Sequence, residues 1–163
     1  MADPSRDADP SRDAARLAEG HFFDHYNCCQ SVLWGVAEAR GLMREGCIPA
    51  IGLAMGGGVA HTGRVCGAVT GAAMAVGLAV EEAVAADIRG RRDAANRTVA
   101  PLVHGFEAAF GSTACADLLG FSWEDPDADG RYRREGAKEG VCLPCVRWAA
   151  AEAARLIDAL RAS

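Results

Sequence analysis

Apolar residues along the chain recur at helical rather than strand spacing. Stripes at every third or fourth position predict a helix from Cys28 to about Gly41 and another from Pro144 to about Leu160. A charged helix is predicted from Glu81 to about Ala100, with a kink or restart at Pro101. Strand-type alternation of Val, Ile, Thr and aromatic residues is nearly absent. The pattern predicts an all-α, single-domain helical bundle over residues 14–163.

The bundle is organised around the stretch from Ile51 to Val80, which is mostly Gly, Ala, Val and Met. Gly67 and Gly71 are four residues apart, with Ala75 next in the series. On a helix these positions share a face, so they form a smooth strip that a neighbouring backbone can approach closely. We therefore predict a Gly/Ala-rich central helix.

The central helix is predicted to begin after a cap at Thr62 or Gly63, with Cys66 at its functional end. The uncharged run from Val65 to Val80 is short for a membrane span, and its Ala and Gly residues make it weakly hydrophobic. The alternative for Cys66 is a small buried residue of an Ala/Gly-packed core.

The remaining segments are shorter or irregular. Residues 1–13 contain the hexapeptide ADPSRD twice, and their composition predicts a disordered tail. Short helices are predicted from Pro49 to about Gly56 and after a cap at Ser112. The segment from Gly120 to Gly140 is rich in Gly and charged residues, which predicts a mobile surface loop tethered by Trp123.

Composition and charge exclude several classes of partner. The net charge of −5 argues against nucleic acid and against an anionic membrane surface. Because no apolar leader precedes a cleavage site, we expect a cytoplasmic protein. In that reducing compartment, seven cysteines indicate metal or redox chemistry rather than structural disulfides.

Most of the cysteines lie at the predicted starts of helices, and the order of the helices lets these starts meet at one end of the bundle. Helix N-termini carry partial positive charge, which favours thiolates. Four thiolates gathered there would bind a soft metal or an iron–sulfur cluster. The cysteines at helix starts are Cys28, Cys66, Cys115, Cys142 and Cys145.

The histidines offer a weaker metal site. His21 and His25 are one turn apart, and Cys28 or Cys29 lies one turn further on. This spacing suits chelation if the helix is continuous, but a cap at Asn27 would break it. Ordinary surface histidines are the favoured interpretation.

Four segments together resemble the redox-active family named for its C_GCAxxG_C_C cysteine pattern. They are YNCCQSVL at 26–33, GGGVAHTGRVCGAVTGA at 56–72, FGSTACADLLG at 110–120 and CLPCVRWAA at 142–150. The resemblance implies a four-cysteine site for a metal or cofactor at Cys28, Cys66, Cys115 and Cys142. It also implies a relation to split-Soret cytochromes. Extra cysteines here are Cys29, Cys47 and Cys145, and because Val146 follows Cys145, c-type haem attachment is not expected.

Three functions remain open at this point. The first is electron transfer through an iron–sulfur cluster at the four cysteines, with zinc as the second choice of metal. The second is thiol–disulfide exchange, with Cys142 and Cys145 as the best pair because they flank Pro144 at a helix start. The third is a structural helical module with incidental thiols. Cys29, Cys145, Gly67 and Gly71 are secondary site candidates. The sequence leaves open the electron donor or acceptor, a homodimer, and whether the protein is an enzyme.

Overall fold

The computed structural model describes residues 10–163, and these form an all-helical bundle, as predicted. The α-helices are α1 (Pro10–Phe23), α2 (Cys28–Arg40), α3 (Gly67–Ala83), α4 (Ile88–Phe110), α5 (Cys115–Leu119), α6 (Ala128–Arg134) and α7 (Leu143–Arg161). A 3₁₀ helix covers Ala50–Met55, and a π-helical turn covers Lys138–Cys142. None of these helices combines the length and apolar character needed to cross a membrane.

Two inner helices hold the bundle together. The predicted central helix, α3, packs against α2, α4 and α7, and α7 itself packs against α1, α2, α3 and α4. Both bury long runs of Ala and Val, as in Ala72, Val76, Ala149 and Ala153, which are fully buried. Small side chains on the inner helices let their neighbours approach closely, so the core is dense without many aromatic residues.

The predicted glycine strip on α3 does face another helix. A Cβ atom on Gly67 would lie 3.0 Å from the backbone nitrogen of Cys29, and one on Gly71 would lie 2.5 Å from the carbonyl oxygen of the same residue. A second close approach was not predicted: a Cβ on Gly35 of α2 would lie 2.5 Å from the backbone nitrogen of Ala18 in α1. The glycines therefore set the spacing of α1, α2 and α3.

Helix α1 begins earlier than the predicted boundary of the tail. It starts at Pro10, so residues 10–13 of the repeat are helical, and the rest of the predicted tail lies outside the described residues. Proline suits the first turn of a helix because its missing N–H has no intrahelical partner there, and Asp13 adds negative charge near the positive end.

Two helix boundaries in the middle of the chain were wrong. Helix α3 starts at Gly67 with Cys66 as its N-cap, rather than after Thr62 or Gly63. The charged helix starts at Ile88, where the side chain of Asp87 accepts a hydrogen bond from the Gly90 N–H, and it is one helix that continues past Pro101 to Phe110.

The segment from Gly120 to Gly140 is not a plain loop. It contains α6 and most of the π-helical turn that leads into α7. Its tether is the one predicted: the ring of Trp123 packs against the rings of Phe121, Tyr132 and His61. The consequence for the site is that Tyr132 and Lys138 are held on helical turns.

An unpredicted left-handed turn follows the 3₁₀ helix. Five successive residues from 57 to 61 have φ between +51° and +72°, and three of them, Val59, Ala60 and His61, are not glycine. Left-handed backbone costs about 1–2 kcal/mol for each such residue. Hydrogen bonds from the Ala60 N–H to the Ala54 carbonyl, 2.7 Å, and from the Arg64 N–H to the Gly58 carbonyl, 2.9 Å, help to offset this cost.

Candidate functional site

A short antiparallel bridge joins the start of α3 to the start of α5. Val65 pairs with Ala114, the Cys66 N–H donates to the Thr113 carbonyl over 2.8 Å, and the Cys115 N–H donates to the Arg64 carbonyl over 2.7 Å. Cys66 is the N-cap of α3, and Cys115 is the first residue of α5. The bridge therefore fixes two cysteines beside each other at one end of the bundle.

The start of α2 is fixed against the same end. Asn27 and Gln30 form a capping box, and the Asn27 side-chain amide also donates to the carbonyls of Gly52 and Leu53 over 2.9 and 3.1 Å. A Cβ atom on Gly67 would lie 3.1 Å from the Cβ of Cys28. The missing side chain at Gly67 is what lets the first residue of α2 lie against the start of α3.

The π-helical turn positions the last two cysteines, Cys142 and Cys145, at the start of α7. The Leu143 N–H bonds to the carbonyl of Lys138, five residues earlier, and Pro144 then has no N–H to continue the ladder. Single π turns inside helices are frequent at functional sites. Here the turn precedes α7 directly, and it places Cys142 and Cys145 on one helical entry.

These elements bring five cysteine thiols near one another, and four of them interact most strongly as two pairs. Cys28 and Cys142 are each the largest influence on the other's pKa, and we call these two the outer pair. Cys66 and Cys145 are likewise the largest influence on each other's pKa, and we call these the inner pair. Cys115 interacts electrostatically with both Cys66 and Cys142.

Cys28, Cys66, Cys115 and Cys142, the four cysteines expected to share a site, lie near enough to affect one another's pKa values, and so does Cys145. That they form one functional site stays a prediction. Cys142 and Cys145 are both free thiols, and their assignment as an exchange pair also stays a prediction.

The two members of the outer pair have opposite pKa shifts. The hydrogen bond from Cys28, and a second from the hydroxyl of Tyr132, stabilise the Cys142 thiolate and lower its pKa despite burial. The same hydrogen bond, together with burial and the neighbouring sulfurs, raises the pKa of the Cys28 thiol. Cys142 is thus the member of the outer pair that loses its proton first as the pH rises, and Cys28 keeps its proton longer.

The inner pair has the same asymmetry. The hydrogen bond from Cys145 is the main cause that lowers the pKa of Cys66, and the N–H groups of Ala68 and Val69 in the first turn of α3 add to it. The sulfur does not cap the helix with a regular hydrogen bond, but positive N–H groups nearby still favour a thiolate. The pKa of Cys145 is raised by its bond to Cys66 and by burial. The side chains of Cys66 and Cys145 are only 6% and 2% exposed.

Cys115 stands beside both pairs as a protonated thiol. Burial raises its pKa to about 11. The indole N–H of Trp123 is near enough to this sulfur to oppose the shift, yet its buried Nε1 has no acceptor in hydrogen-bond geometry among the described residues. The contact between Trp123 and Cys115 is therefore electrostatic proximity rather than a formed hydrogen bond.

A cavity of about 580 Å³ opens onto the outer pair. Such a volume is typical of small-molecule sites. Cys28, Cys115 and Cys142 lie in its wall, whereas Cys66 and Cys145 do not. The wall also contains the side chains of Phe22, Trp123, Asp129, Tyr132, Arg133 and Lys138. Only the outer pair therefore combines a thiolate with access from the cavity.

The remaining candidates lie outside the pairs. Cys29 is buried against α3, with its sulfur 3.9 Å from the sulfur of Met74, and burial raises its pKa. Cys47 is exposed in the connector before the 3₁₀ helix. All seven cysteines are free thiols.

The histidine site is absent because the helix is not continuous. Helix α1 ends at Phe23, and His25 has a φ of 71°. His21 instead stacks on Trp34, with ring centroids 3.9 Å apart, and it bonds to Glu38 over 3.1 Å.

The chemistry of the thiols suits a soft metal or an iron–sulfur cluster, but their arrangement in this structure does not. Within residues 10–163, no group of three or more His, Cys, Asp or Glu side chains is positioned to hold a metal ion. The sulfurs form pairs rather than three or four donors around one point. A metal or cluster would require the pairs to separate and the side chains to turn toward a common centre.

Tyr132 is the functional residue that the sequence analysis missed. It lies on α6, inside the segment predicted to be a loop, and its own pKa is raised by burial and then by Cys142. The signal available in the sequence was weak: one aromatic residue among arginines in RYRR, nine residues after Trp123.

Replacing Tyr132 by phenylalanine is expected to raise the pKa of Cys142, because a donor to the thiolate is lost. Alkylation of Cys142 by iodoacetamide accelerates as the thiolate forms, so the midpoint of its pH profile should move to higher pH. Below the midpoint, the rate should fall several-fold. Peptide mass spectrometry measures the rate at Cys142 alone. Tyr26→Phe is the control, since Tyr26 lines the same cavity but packs edge-on against Trp34. An unchanged midpoint in Tyr132→Phe would contradict the assigned hydrogen bond.

Comparisons with known proteins give one match. No curated protein and no solved structure matches the chain significantly. A family model described as "Putative redox-active protein (C_GCAxxG_C_C)" matches residues 26–156, which include α2 through most of α7 and all five gathered cysteines. This match covers most of the chain, and the chain therefore belongs to the C_GCAxxG_C_C family of redox-active proteins.

Proposed function

We propose that the protein is a thiol–disulfide redox protein in which the outer pair, Cys28 and Cys142, exchanges electrons with a disulfide substrate. The observation that carries the proposal is that Cys28 of α2 and Cys142 of the turn before α7 line one cavity. Each is the largest influence on the other's pKa, which is lowered at Cys142 and raised at Cys28. Reactive cysteines are those with lowered pKa and access to the reactant, and Cys142 has both.

The reaction needs both members of the pair. The Cys142 thiolate attacks one sulfur of the substrate disulfide, a new S–S bond forms, and the first substrate thiolate leaves and takes up a proton. Cys28 then loses its proton and attacks the Cys142 sulfur. The internal Cys28–Cys142 bond forms as the second substrate thiolate leaves. Two electrons pass from the protein to the substrate. One of the two protons comes from Cys28, and the other comes from solvent because Cys142 reacts as its thiolate.

The inner pair, Cys66 and Cys145, forms a second, buried site for thiol–disulfide exchange in this proposal. Cys66 has a lowered pKa, but it is 6% exposed and does not line the cavity. Its sulfur interacts electrostatically with the outer cysteines Cys28 and Cys142. We infer that Cys66 and Cys145 exchange electrons with the outer pair rather than with the substrate.

An iron–sulfur cluster at Cys28, Cys66, Cys115 and Cys142 is the second candidate function. It is favoured by the meeting of four thiols from α2, α3, α5 and the turn before α7. Against it stands their arrangement as pairs, and no reaction step is assigned to a cluster here. Zinc would need the same rearrangement toward a common centre.

Anaerobic purification followed by metal analysis and disulfide mapping separates the two candidates. We expect a colourless protein without stoichiometric metal. Oxidation with a small disulfide should form the Cys28–Cys142 bond first and the Cys66–Cys145 bond second, as identified by peptide mass spectrometry. A Cys47→Ser background removes the exposed thiol without touching the pairs. Stoichiometric iron with visible absorption would favour the cluster instead, and a Cys142–Cys145 disulfide would overturn the assigned pairing.

A further inference from the structure

We propose that the cavity beside the outer pair binds small disulfides that carry carboxylate groups, with Lys138 as the residue that recognises the carboxylate. This inference rests on the proposed function, since it names the class of disulfide that would oxidise Cys28 and Cys142. Its support comes from the position of Lys138 and from the balance of charge around the cavity.

Lys138 is held at the cavity without a carboxylate partner. Its ammonium nitrogen lies 5.3 Å from the ring centroids of both Phe22 and Phe23. It forms no ion pair with any residue that the structure describes. Aromatic faces hold a cation while leaving its hydrogen-bond donors free. The π-helical turn that begins at Lys138 ends at Cys142, so the charge and the thiolate are one turn apart.

Apart from the reacting sulfur of Cys142, the charged side chains around the cavity favour an anion. Its wall contains two permanent cations, Lys138 and Arg133, and one carboxylate, Asp129. Asp129 and Arg133 are exposed, so solvent screens both, whereas Lys138 is partly buried and less screened. The carboxylate of Glu139 opposes the thiolate of Cys142, but it too is exposed. The least screened permanent charge of the cavity is therefore positive.

Three disulfides of similar length and different charge test the inference: 3,3′-dithiodipropionate, which is anionic, 2-hydroxyethyl disulfide, which is neutral, and cystamine, which is cationic. The rate of formation of the Cys28–Cys142 bond is measured for each at low salt in the Cys47→Ser background. Each rate is divided by the rate of the same disulfide with a free small thiol, which removes differences in intrinsic reactivity. We expect a preference for the anionic over the cationic disulfide of about tenfold or more, which high salt reduces.

Variants of Lys138 assign the preference to this residue. Lys138→Gln should abolish most of it, Lys138→Glu should reverse it, and Lys138→Arg should retain it. Arg155→Gln is the matched control, because it removes one positive charge on the exterior of α7, where Arg155 pairs with Glu152. A preference that survives Lys138→Gln, or equal normalised rates in the unmodified cavity, would overturn the inference.

The reaction with the neutral disulfide distinguishes an error in the inference about charge from an error in the proposed thiol–disulfide function. If 2-hydroxyethyl disulfide forms the Cys28–Cys142 bond but charge makes no difference, the inference alone is wrong. If even the neutral disulfide does not oxidise the outer pair, the proposed thiol–disulfide function is wrong, and the inference falls with it.

Discussion

Gly71→Ala is expected to lower the free energy of unfolding by about 2 kcal/mol or more through overpacking. A Cβ atom at this position would lie 2.5 Å from the carbonyl oxygen of Cys29 and 3.1 Å from the Cβ of Val32. The closest of these atoms is backbone in α2, so the clash can be relieved only if α2 and α3 separate. Separation would also disturb the start of α2, where Cys28 lies. Gly71→Leu should be more destabilising still.

The matched control is Gly77→Ala on the same helix. A Cβ at Gly77 would meet nothing within 4 Å, so this variant should gain roughly 0.5–1 kcal/mol from the better helix propensity of alanine. Both substitutions replace glycine by alanine in α3 and change the helix propensity equally. The difference between their free energies of unfolding therefore gives the packing cost at Gly71. Urea denaturation measures both variants. Equal stability of the two would mean that the strip on α3 does not touch α2.

The helices of the core could be predicted because burial imposes a period on the sequence. The starts of α2 and α7 and the glycine strip of α3 follow from apolar spacing alone. The helix α4 was harder, since Pro101 removes only one backbone donor, and its exposed position leaves the freed carbonyl open to water.

The left-handed turn could not be predicted, because its reason is not local. Three glycines mark the place, but Val59, Ala60 and His61 resist positive φ on their own. The N–H groups of Ala60 and His61 donate to carbonyls six and five positions earlier, and the Val59 carbonyl accepts from the Thr62 N–H. His61 also stacks on Trp123, with ring centroids 4.7 Å apart.

The candidate site, like the fold, could be predicted only in part. Cysteines at helix starts can be expected to meet when the helices run back and forth, and this is how Cys28, Cys66 and Cys142 were singled out. Which thiol interacts most strongly with which depends on side-chain positions across several helices, and chain spacing alone pointed to Cys145 as the partner of Cys142, whereas the strongest influence on the Cys142 pKa comes from Cys28. Lys138 and Tyr132 depend on α6 and a π turn that no pattern in a charged, glycine-rich segment predicts.

Cys28→Ser and Cys142→Ser are expected to fail at different steps of the reaction with 2-hydroxyethyl disulfide. In Cys28→Ser a serine hydroxyl takes the place of the Cys28 thiol, and Tyr132 still lowers the pKa of Cys142, so the first step should proceed. A mixed disulfide should then accumulate on Cys142 because its partner thiol is gone. In Cys142→Ser the remaining Cys28 is a partly buried thiol, and burial disfavours its thiolate. The rate of attack should therefore fall at least about tenfold, and no adduct should accumulate on Cys142.

Intact-mass and peptide mass spectrometry distinguish these outcomes in the Cys47→Ser background. Cys29→Ser is the matched control, since Cys29 is adjacent to Cys28 but faces Met74 on α3. It should form the Cys28–Cys142 bond at the unaltered rate. If Cys28→Ser accumulates no adduct because Cys145 or Cys115 resolves it quickly, the corresponding double variant with Cys28→Ser should restore the adduct. An adduct that forms first on Cys28, or a Cys142→Ser variant that reacts at the unaltered rate, would show that Cys142 is not the attacking thiolate.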